Sequence, residues 1–471
     1  MRSVLLGVLV ASPLVIGCAA YQARPLEPPA LESAYRARSL ADATVRAYVE
    51  TIGGTTQTVW PPRALDLKML TVLGYYFSAD LEVARAQVDL AEANIRAAGA
   101  RVNPSLGLQA GYNRNPESHP EYAVSPSFTI ETAGKRGYRI LRAEREADAA
   151  AVGLVEAGWH LRSRIRAAFF NHLLAAARLD LLQREQSVRA EIVQIFDRRL
   201  AVGEVARPEL DVYRVDLIAT QAALRTAAGE VDQTRSVLAN AVGLPLSAFD
   251  GVELTSPTFE LPSAGDALPI ATVQRAGLLH RADLRRSLAA YAAAEATLRL
   301  ELARQYADVV LTPGYTFEEG FVRYVLIAAI EPLALFHRNQ GPIAMAEAQR
   351  REAAERFEAL QALAIGEMAR ATVQYRAAVE EWREANDRLV TVQRDREAAA
   401  RRTLEAGEGD RLGVATVRLQ TVTAERARLD ALARVHSALG ALEEAMQQPL
   451  EDALMMPDPA RVSPRKGGMP R

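Results

Sequence analysis

From Pro104 the side chains alternate with a period of two. Leu106, Leu108, Ala110 and Tyr112 fall on one side; Ser105, Gly107, Gln109, Gly111 and Asn113 fall on the other. A turn-forming run, Asn115 to Pro120, follows. Then Tyr122, Val124, Phe128 and Ile130 alternate with Ala123, Ser125, Ser127, Thr129 and Glu131. This is the pattern of a strand hairpin over 104–131 with one large apolar face and one small polar face. Strands of about ten residues are long enough to cross a bilayer. A soluble hairpin packed on a core is the alternative, but Gly and Ser would underfill a core, whereas a lumen accepts them.

On both sides of the hairpin the period is helical. Residues 64–101 predict helix. From Lys135 to Arg199 there is no proline, and Ile165, Phe169, Leu173, Ala176, Leu179 and Leu182 form one stripe. Roughly 65 residues at 1.5 Å each make a rod of ~100 Å. Gly203-Glu204 breaks it, and Arg207-Pro208 restarts a helix that ends at Gly243. That helix carries a heptad seam. Leu210, Leu217, Leu224, Val231 and Leu238 alternate with the smaller set Tyr213, Thr220, Ala227, Thr234 and Ala241.

The order then recurs. Helix is predicted over 268–303, a second hairpin over 306–331, and a second long helix from Gln340 to about Arg402. Gly407-Glu408 breaks it, and a return helix runs to Gln448. The chain therefore reads as two repeats, 64–267 and 268–448, offset by roughly 200 residues, the signature of internal duplication. Gly203-Glu204 matches Gly407-Glu408, and Ala143-Glu144 matches Ala346-Glu347.

Composition narrows the class. Among 471 residues aromatics are only 6%, so the helices pack through small residues. A formal charge of −2 leaves no basic surface for nucleic acid. A single Cys excludes a disulfide framework and a Cys-based zinc site. No apolar run is long enough to span a bilayer as a helix, but this does not exclude strands.

The one cysteine follows a basic start and a short apolar stretch. Residues 1–17 read as a signal peptide, and Val15-Ile16-Gly17-Cys18 resembles a bacterial lipobox. The expected outcome is acylation of Cys18, which anchors the chain firmly. An ordinary signal with an incidental Cys is the alternative. Residues 18–63, rich in Pro and polar residues, read as an extended tether. Residues 449–471 are expected to be disordered.

The duplicated unit resembles the TolC family of outer-membrane efflux proteins over nearly the whole chain. Ile130-Glu131-Thr132-Ala133-Gly134-Lys135-Arg136, Pro313-Gly314-Tyr315 and the run Glu331 to Gly341 look like the strand–helix junctions of its heavy-metal (cobalt–zinc–cadmium type) branch. The resemblance implies a mostly α fold with a transmembrane β-barrel. Four strands per chain would complete a twelve-strand trimeric barrel above a coiled-coil periplasmic tunnel. It implies a passive outer-membrane conduit in a tripartite efflux system, with a periplasmic adaptor and an inner-membrane proton-driven pump as partners. The expected cargo is heavy-metal cations; drugs or secreted proteins are the alternative. A lipid-anchored coiled-coil adaptor or scaffold is the rival of another class.

Chemistry-bearing motifs point away from an enzyme. No Gly-rich phosphate loop follows a strand. The six His residues are scattered, and neither a metal site nor a cofactor is expected. Glu131 and Glu331 end strands two and four on the small-residue side. In a trimer they would form a pore-lining ring that favours cations; alternatively each accepts hydrogen bonds from the next helix N-terminus. The two breaks are expected at one distal tip, where the resemblance implies gating and adaptor docking. The candidates are Gly203, Glu204, Arg207 and Leu210 in the first repeat. In the second they are Gly407, Glu408, Asp410, Arg411 and Leu412. Leu210 is paired with Leu412, which gives the first break two extra residues. Arg207 and Arg411 are the expected counter-charges for the clustered acids.

Overall fold

The computed structural model describes residues 21–53, 59–112, 121–260, 269–318, 320–331 and 336–450. Cys18, the first hairpin's turn, residues 332–335 of the Glu331–Gly341 junction and the end of the chain lie outside them. The described residues before Leu40 and those from Leu40 onward form two units. The first holds helix α1 (Pro28–Arg36), none of whose residues is buried. In the second, helix α2 (Ala43–Gly53) corrects the reading of 18–63 as an extended tether. Val45, Tyr48, Val49 and Ile52 repeat at helical spacing, and all four join the core. Burial of that face outweighs the polar bias of the segment.

The region 64–101 is a short strand β1 (Ala64–Leu65) and two helices, α3 (Leu67–Phe77) and α4 (Ala79–Ala98). The Ser78 side chain caps α4 by accepting from the Leu81 N–H, which divides what the periodicity shows as one helix. Strands β2 (Ser105–Gly111) and β3 (Glu121–Ile130) follow. Helix α5 (Lys135–Ala201) is 67 residues long, and α6 (Arg207–Val242) returns beside it. The heptad seam is the packed face of α6: Leu210, Thr220, Ala227 and Leu238 are buried. Strand β4 (Glu253–Leu254) pairs in parallel with β1, tying the inter-repeat segment to the start of repeat one.

Repeat two contains α7 (Ile270–His280), α8 (Ala282–Ala303), β5 (Asp308–Glu318) and β6 (Phe321–Glu331). Its long helix is α9 (Gln340–Arg383), a π-helical segment (Glu384–Val390) and α10 (Thr391–Glu405). Helix α11 (Arg411–Met446) returns. The sheet order is β2-β3-β5-β6, and the helices nearest it follow the same order, α4-α5-α8-α9. Further along, the row is α6, α5, α11 and α9/α10.

The π segment has a clear physical role. Before it, the buried residues Ala364, Met368, Ala371, Thr372, Tyr375 and Ala378 each lie 203 positions after buried residues of α5: Leu161, Ile165, Ala168, Phe169, His172 and Ala175. Beyond it, the breaks Gly203 and Gly407 differ by 204. A wide turn absorbs one extra residue and keeps both the packed face and the distal end in phase.

Gly243 ends α6 at φ 87°, and its own Cβ would stand 2.9 Å from the Phe77 carbonyl oxygen. Gly243→Ala is expected to cost about 1–3 kcal/mol from backbone strain, read as earlier thermal unfolding in detergent. An unchanged transition would mean that the α3 end moves aside freely.

Candidate functional site

Strand β3 alternates in a way that separates two environments. Tyr122, Val124, Phe128 and Ile130 are exposed, while Ala123, Ser125, Ser127 and Thr129 are half-buried. Register aligns the large side chains across the sheet: Leu108 with Val124, Val124 with Tyr315, and Tyr315 with Tyr324. Leu108 is 72% exposed and Tyr324 80%. A continuous exposed apolar face of this extent requires a non-aqueous neighbour. The spans of ten and eleven residues in β3, β5 and β6 match a bilayer's thickness. Pro126 and Pro313 fall at one level, inside the gap that the β3–β5 ladder shows between Val124 and Phe128. Placing both residues without an N–H together confines the defect to one point. Beside it the Thr312 hydroxyl donates to Ser127 Oγ at 3.1 Å.

At the junction of sheet and helices, Ala133 and Gly134 take positive φ, turning β3 into α5. Glu131 receives both guanidinium nitrogens of Arg139, Nη2 at 3.0 Å. Its partner is thus a side chain just over one turn into α5, and no backbone N–H of the helix start donates to it among the described residues. Asp308 accepts from Lys135 Nζ at 2.7 Å and from the Thr132 N–H at 2.8 Å. Arg136 and Arg139 also donate to the carbonyls of Gly99, Ala98 and Ala100, which closes the end of α4. In repeat two the Asn339 amide binds the Glu301 carbonyl and carboxylate at 2.7 and 2.9 Å. Glu331 is exposed, on the same face as Glu131, and forms no ion pair among the described residues. The two carboxylates are therefore not equivalent. The sequence reading missed Lys135, Arg139 and Asp308; the cations Lys135 and Arg139 at the start of the helix that follows Glu131 were the available signal.

The two breaks share one backbone. Gly203 and Gly407 have φ 79° and 78°. Glu204 N–H donates to the Arg199 carbonyl at 2.9 Å, and Glu408 N–H to that of Thr403 at 3.0 Å. Both are glycine-terminated helix ends of the six-to-one type. The return helices then start after Ala206 and Asp410, so the two loops have equal length. This corrects the pairing of Leu210 with Leu412 and the two extra residues it implied. Arg207 matches Arg411, Pro208 matches Leu412, and Leu210 matches Val414. Leu210 is fully buried with Val188, Ile192, Phe196 and Ala415, and Leu412 packs half-buried on the same cluster. Asp410 caps α11, accepting from Gly413 N–H at 2.7 Å, and pairs with Arg199 at 2.8 Å. The cap and this guanidinium hold its carboxyl below the ordinary range. Arg207 and Arg411, the expected counter-charges, are exposed and make no ion pair among the described residues. The acids Glu204 and Glu408 are likewise exposed.

Further along the helices, a charged cluster is buried between α5 and α11. Glu443 pairs with Arg162 at 3.0 Å and Arg166 at 3.1 Å, all three under 5% exposed. His436 lies between the rings of Phe170 and Phe259, and its Nε2–H donates to the Phe259 carbonyl at 3.0 Å. Burial pushes its pKa down to about 4, so it is neutral in ordinary buffers. Among the described residues no group of His, Cys, Asp and Glu has metal-holding geometry, and no helix is long and apolar enough to cross a membrane.

Residues 78–244 match the family model for outer membrane efflux proteins. That segment spans most of the first repeat, and over it the chain resembles that family. It is 26% identical over 303 residues to the cobalt-zinc-cadmium resistance protein CzcC of Cupriavidus metallidurans, covering 63% of this chain and 69% of that one. The fold of this chain is that of solved outer-membrane channels. The Vibrio cholerae outer membrane protein VceC superposes with a TM-score of 0.65 at 20% identity, over 82% of this chain and 97% of that one. CusC superposes with a TM-score of 0.65 at 18% identity, over 91% and 99%. The matched family and structures are channels, not enzymes.

Proposed function

We propose that this protein is the outer-membrane channel of a tripartite efflux system and that its cargo is heavy-metal cations. Three copies close one twelve-strand barrel and continue as a helical tunnel into the periplasm. The observation that carries the reading is the open four-stranded sheet with an exposed apolar face. Four strands cannot close, and unpaired edges are not tolerated in lipid. A coiled-coil scaffold would leave that face without a suitable environment. The metal cargo is supported by the likeness to a cobalt-zinc-cadmium resistance protein. In this reading the channel is passive, and selection and energy come from a proton-driven inner-membrane pump reached through a periplasmic adaptor. The distal breaks are where the adaptor docks, and Cys18 carries the lipid.

Deleting the chain is expected to lower tolerance to cobalt, zinc or cadmium, and re-expression to restore it. Loss of drug tolerance with unchanged metal tolerance would overturn the cargo and keep the channel. Mass spectrometry of the mature N-terminus is expected to find acylated Cys18; an unmodified residue would remove the anchor.

A further inference from the structure

A row of carboxylates crosses the sheet where it meets the helices. Asp308 of β5 and Glu331 of β6 stand directly opposite each other in the ladder. Ile130 pairs with Val309, which brings Glu131 to the same level beside β3. By strand phase all three acids fall on the face of Ser127, Thr129 and Thr312, away from the exposed apolar side. Like charges directly opposite each other destabilise a sheet, so the row needs counter-charges.

The two repeats meet that need differently. Helix α5 opens with Lys135 and Arg139. Lys135 pairs with Asp308 at 2.7 Å, and its side chain is 9% exposed. Arg139 takes both oxygens of Glu131 and is held there by the carbonyls of Ala98 and Ala100 at the end of α4. Helix α9 opens with Gln340-Gly341-Pro342-Ile343 and has no cation before Arg350. With Ala143 aligned to Ala346, Pro342 stands where α5 has Arg139. Glu331 is exposed and forms no ion pair among the described residues; the same holds for Arg101 and Arg338, the exposed cations flanking the sheet.

We propose that Lys135 and Arg139 set the ion preference of the passage from barrel to tunnel, by neutralising Asp308 and Glu131 so that Glu331 alone contributes free negative charge there. The inference rests on the trimeric channel reading, in which the small-residue face lines the lumen, and names the groups that fix its preference. Rings of unpaired carboxylates favour cations. A carboxylate and a cation in contact present a dipole instead, whose pull on a passing ion falls off faster with distance than that of a lone charge. A row with the composition of a strong cation filter therefore acts as a weak one. The junction discriminates little between cargoes, which leaves selection to the pump.

Reversal potentials of the full-length protein in planar bilayers, across a potassium chloride gradient, read the preference. Glu331→Gln is expected to lower the potassium-to-chloride permeability ratio and Arg139→Gln to raise it, each by roughly two- to fivefold at low ionic strength. Lys135→Gln is expected to act like Arg139→Gln and carries the test if that variant fails to insert. Arg139→Lys keeps the charge and should match the wild type. So should Glu131→Gln with Arg139→Gln, which removes the pair whole. A pair that only fastens helix to strand would leave the ratio unmoved in Arg139→Gln. A freely acting Glu131 would make the double variant as weakly cation-selective as Glu331→Gln. Either result overturns the assignment to α5. An unchanged ratio in Glu331→Gln overturns the part given to Glu331, its charge then being covered by a cation such as Arg101 or Arg338. A wild-type protein recovered in the soluble fraction and forming no channels overturns the channel reading itself.

Discussion

Truncating Glu443 to Ala is expected to destabilise the folded chain by about 3–5 kcal/mol, the usual cost of leaving a buried charge uncompensated. Two guanidinium groups converge on this carboxylate, which is 1% exposed. Arg162 also lies over the Trp159 ring and Arg166 over Phe170, at 5.0 and 4.8 Å, so neither can swing out to water without losing packing. Arg166 donates to the His436 carbonyl, and the Leu450 N–H donates to Glu443. Removing the carboxylate therefore leaves two buried cations, between α5 of repeat one and α11 of repeat two. The exposed pair Arg434–Glu381 is the contrast. Its members are 52% and 53% exposed, and Glu381→Ala is expected to change stability by under about 1 kcal/mol. Thermal unfolding of the two variants in the same detergent compares them. Equal transitions would show that Glu443 does not offset the two arginines.

The sequence revealed what depends on periodicity and on backbone chemistry. The duplication, both hairpins, the helix lengths and the two Gly-Glu breaks follow from side-chain period and from glycine's access to positive φ. Helix α2 was hidden because the Pro-rich run before it dominates the composition of 18–63. The π segment was hidden because one inserted residue leaves no local mark; it shows only when burial on α9 is compared with burial on α5. The partner of Asp410 was missed for a related reason. Sequence proximity offers Arg207 and Arg411, but both point to solvent, while Arg199 lies on another helix one turn before the other break. Likewise Leu210 looked like a surface residue of the tip, yet the heptad that makes it conspicuous is the reason it is buried. The interior cluster of Arg162, Arg166 and Glu443 joins residues far apart in the chain, with no spacing to announce it.

Asp410→Ala is expected to raise the open population of the isolated channel by roughly 5–30-fold, the effect of a shift of one to two kcal/mol. The group does two things at the tip. It caps α11 through Gly413, a contact worth about 1 kcal/mol. It also joins the second break to the first through Arg199, and since this pair is exposed it adds only about 0.2–1 kcal/mol. Arg199→Ala removes the pair alone, so its effect on single-channel conductance in planar bilayers should be smaller. Asp410→Asn keeps a capping side chain and loses the charge, and should resemble Arg199→Ala. Arg411→Ala should leave conductance unchanged, because Arg411 is exposed and outside the pair. Acid should act in the same direction. The Asp410 carboxyl is held below the ordinary range, so its contribution is complete above the unfolded-state value and is lost as pH falls through the lowered folded value. Wild-type conductance should therefore rise at the acid end of the carboxylate range, and the rise should be absent in Asp410→Ala. If Asp410→Ala conducts like the wild type at neutral pH, the link between the two breaks does not hold the tip closed, and the gate lies elsewhere in the tunnel.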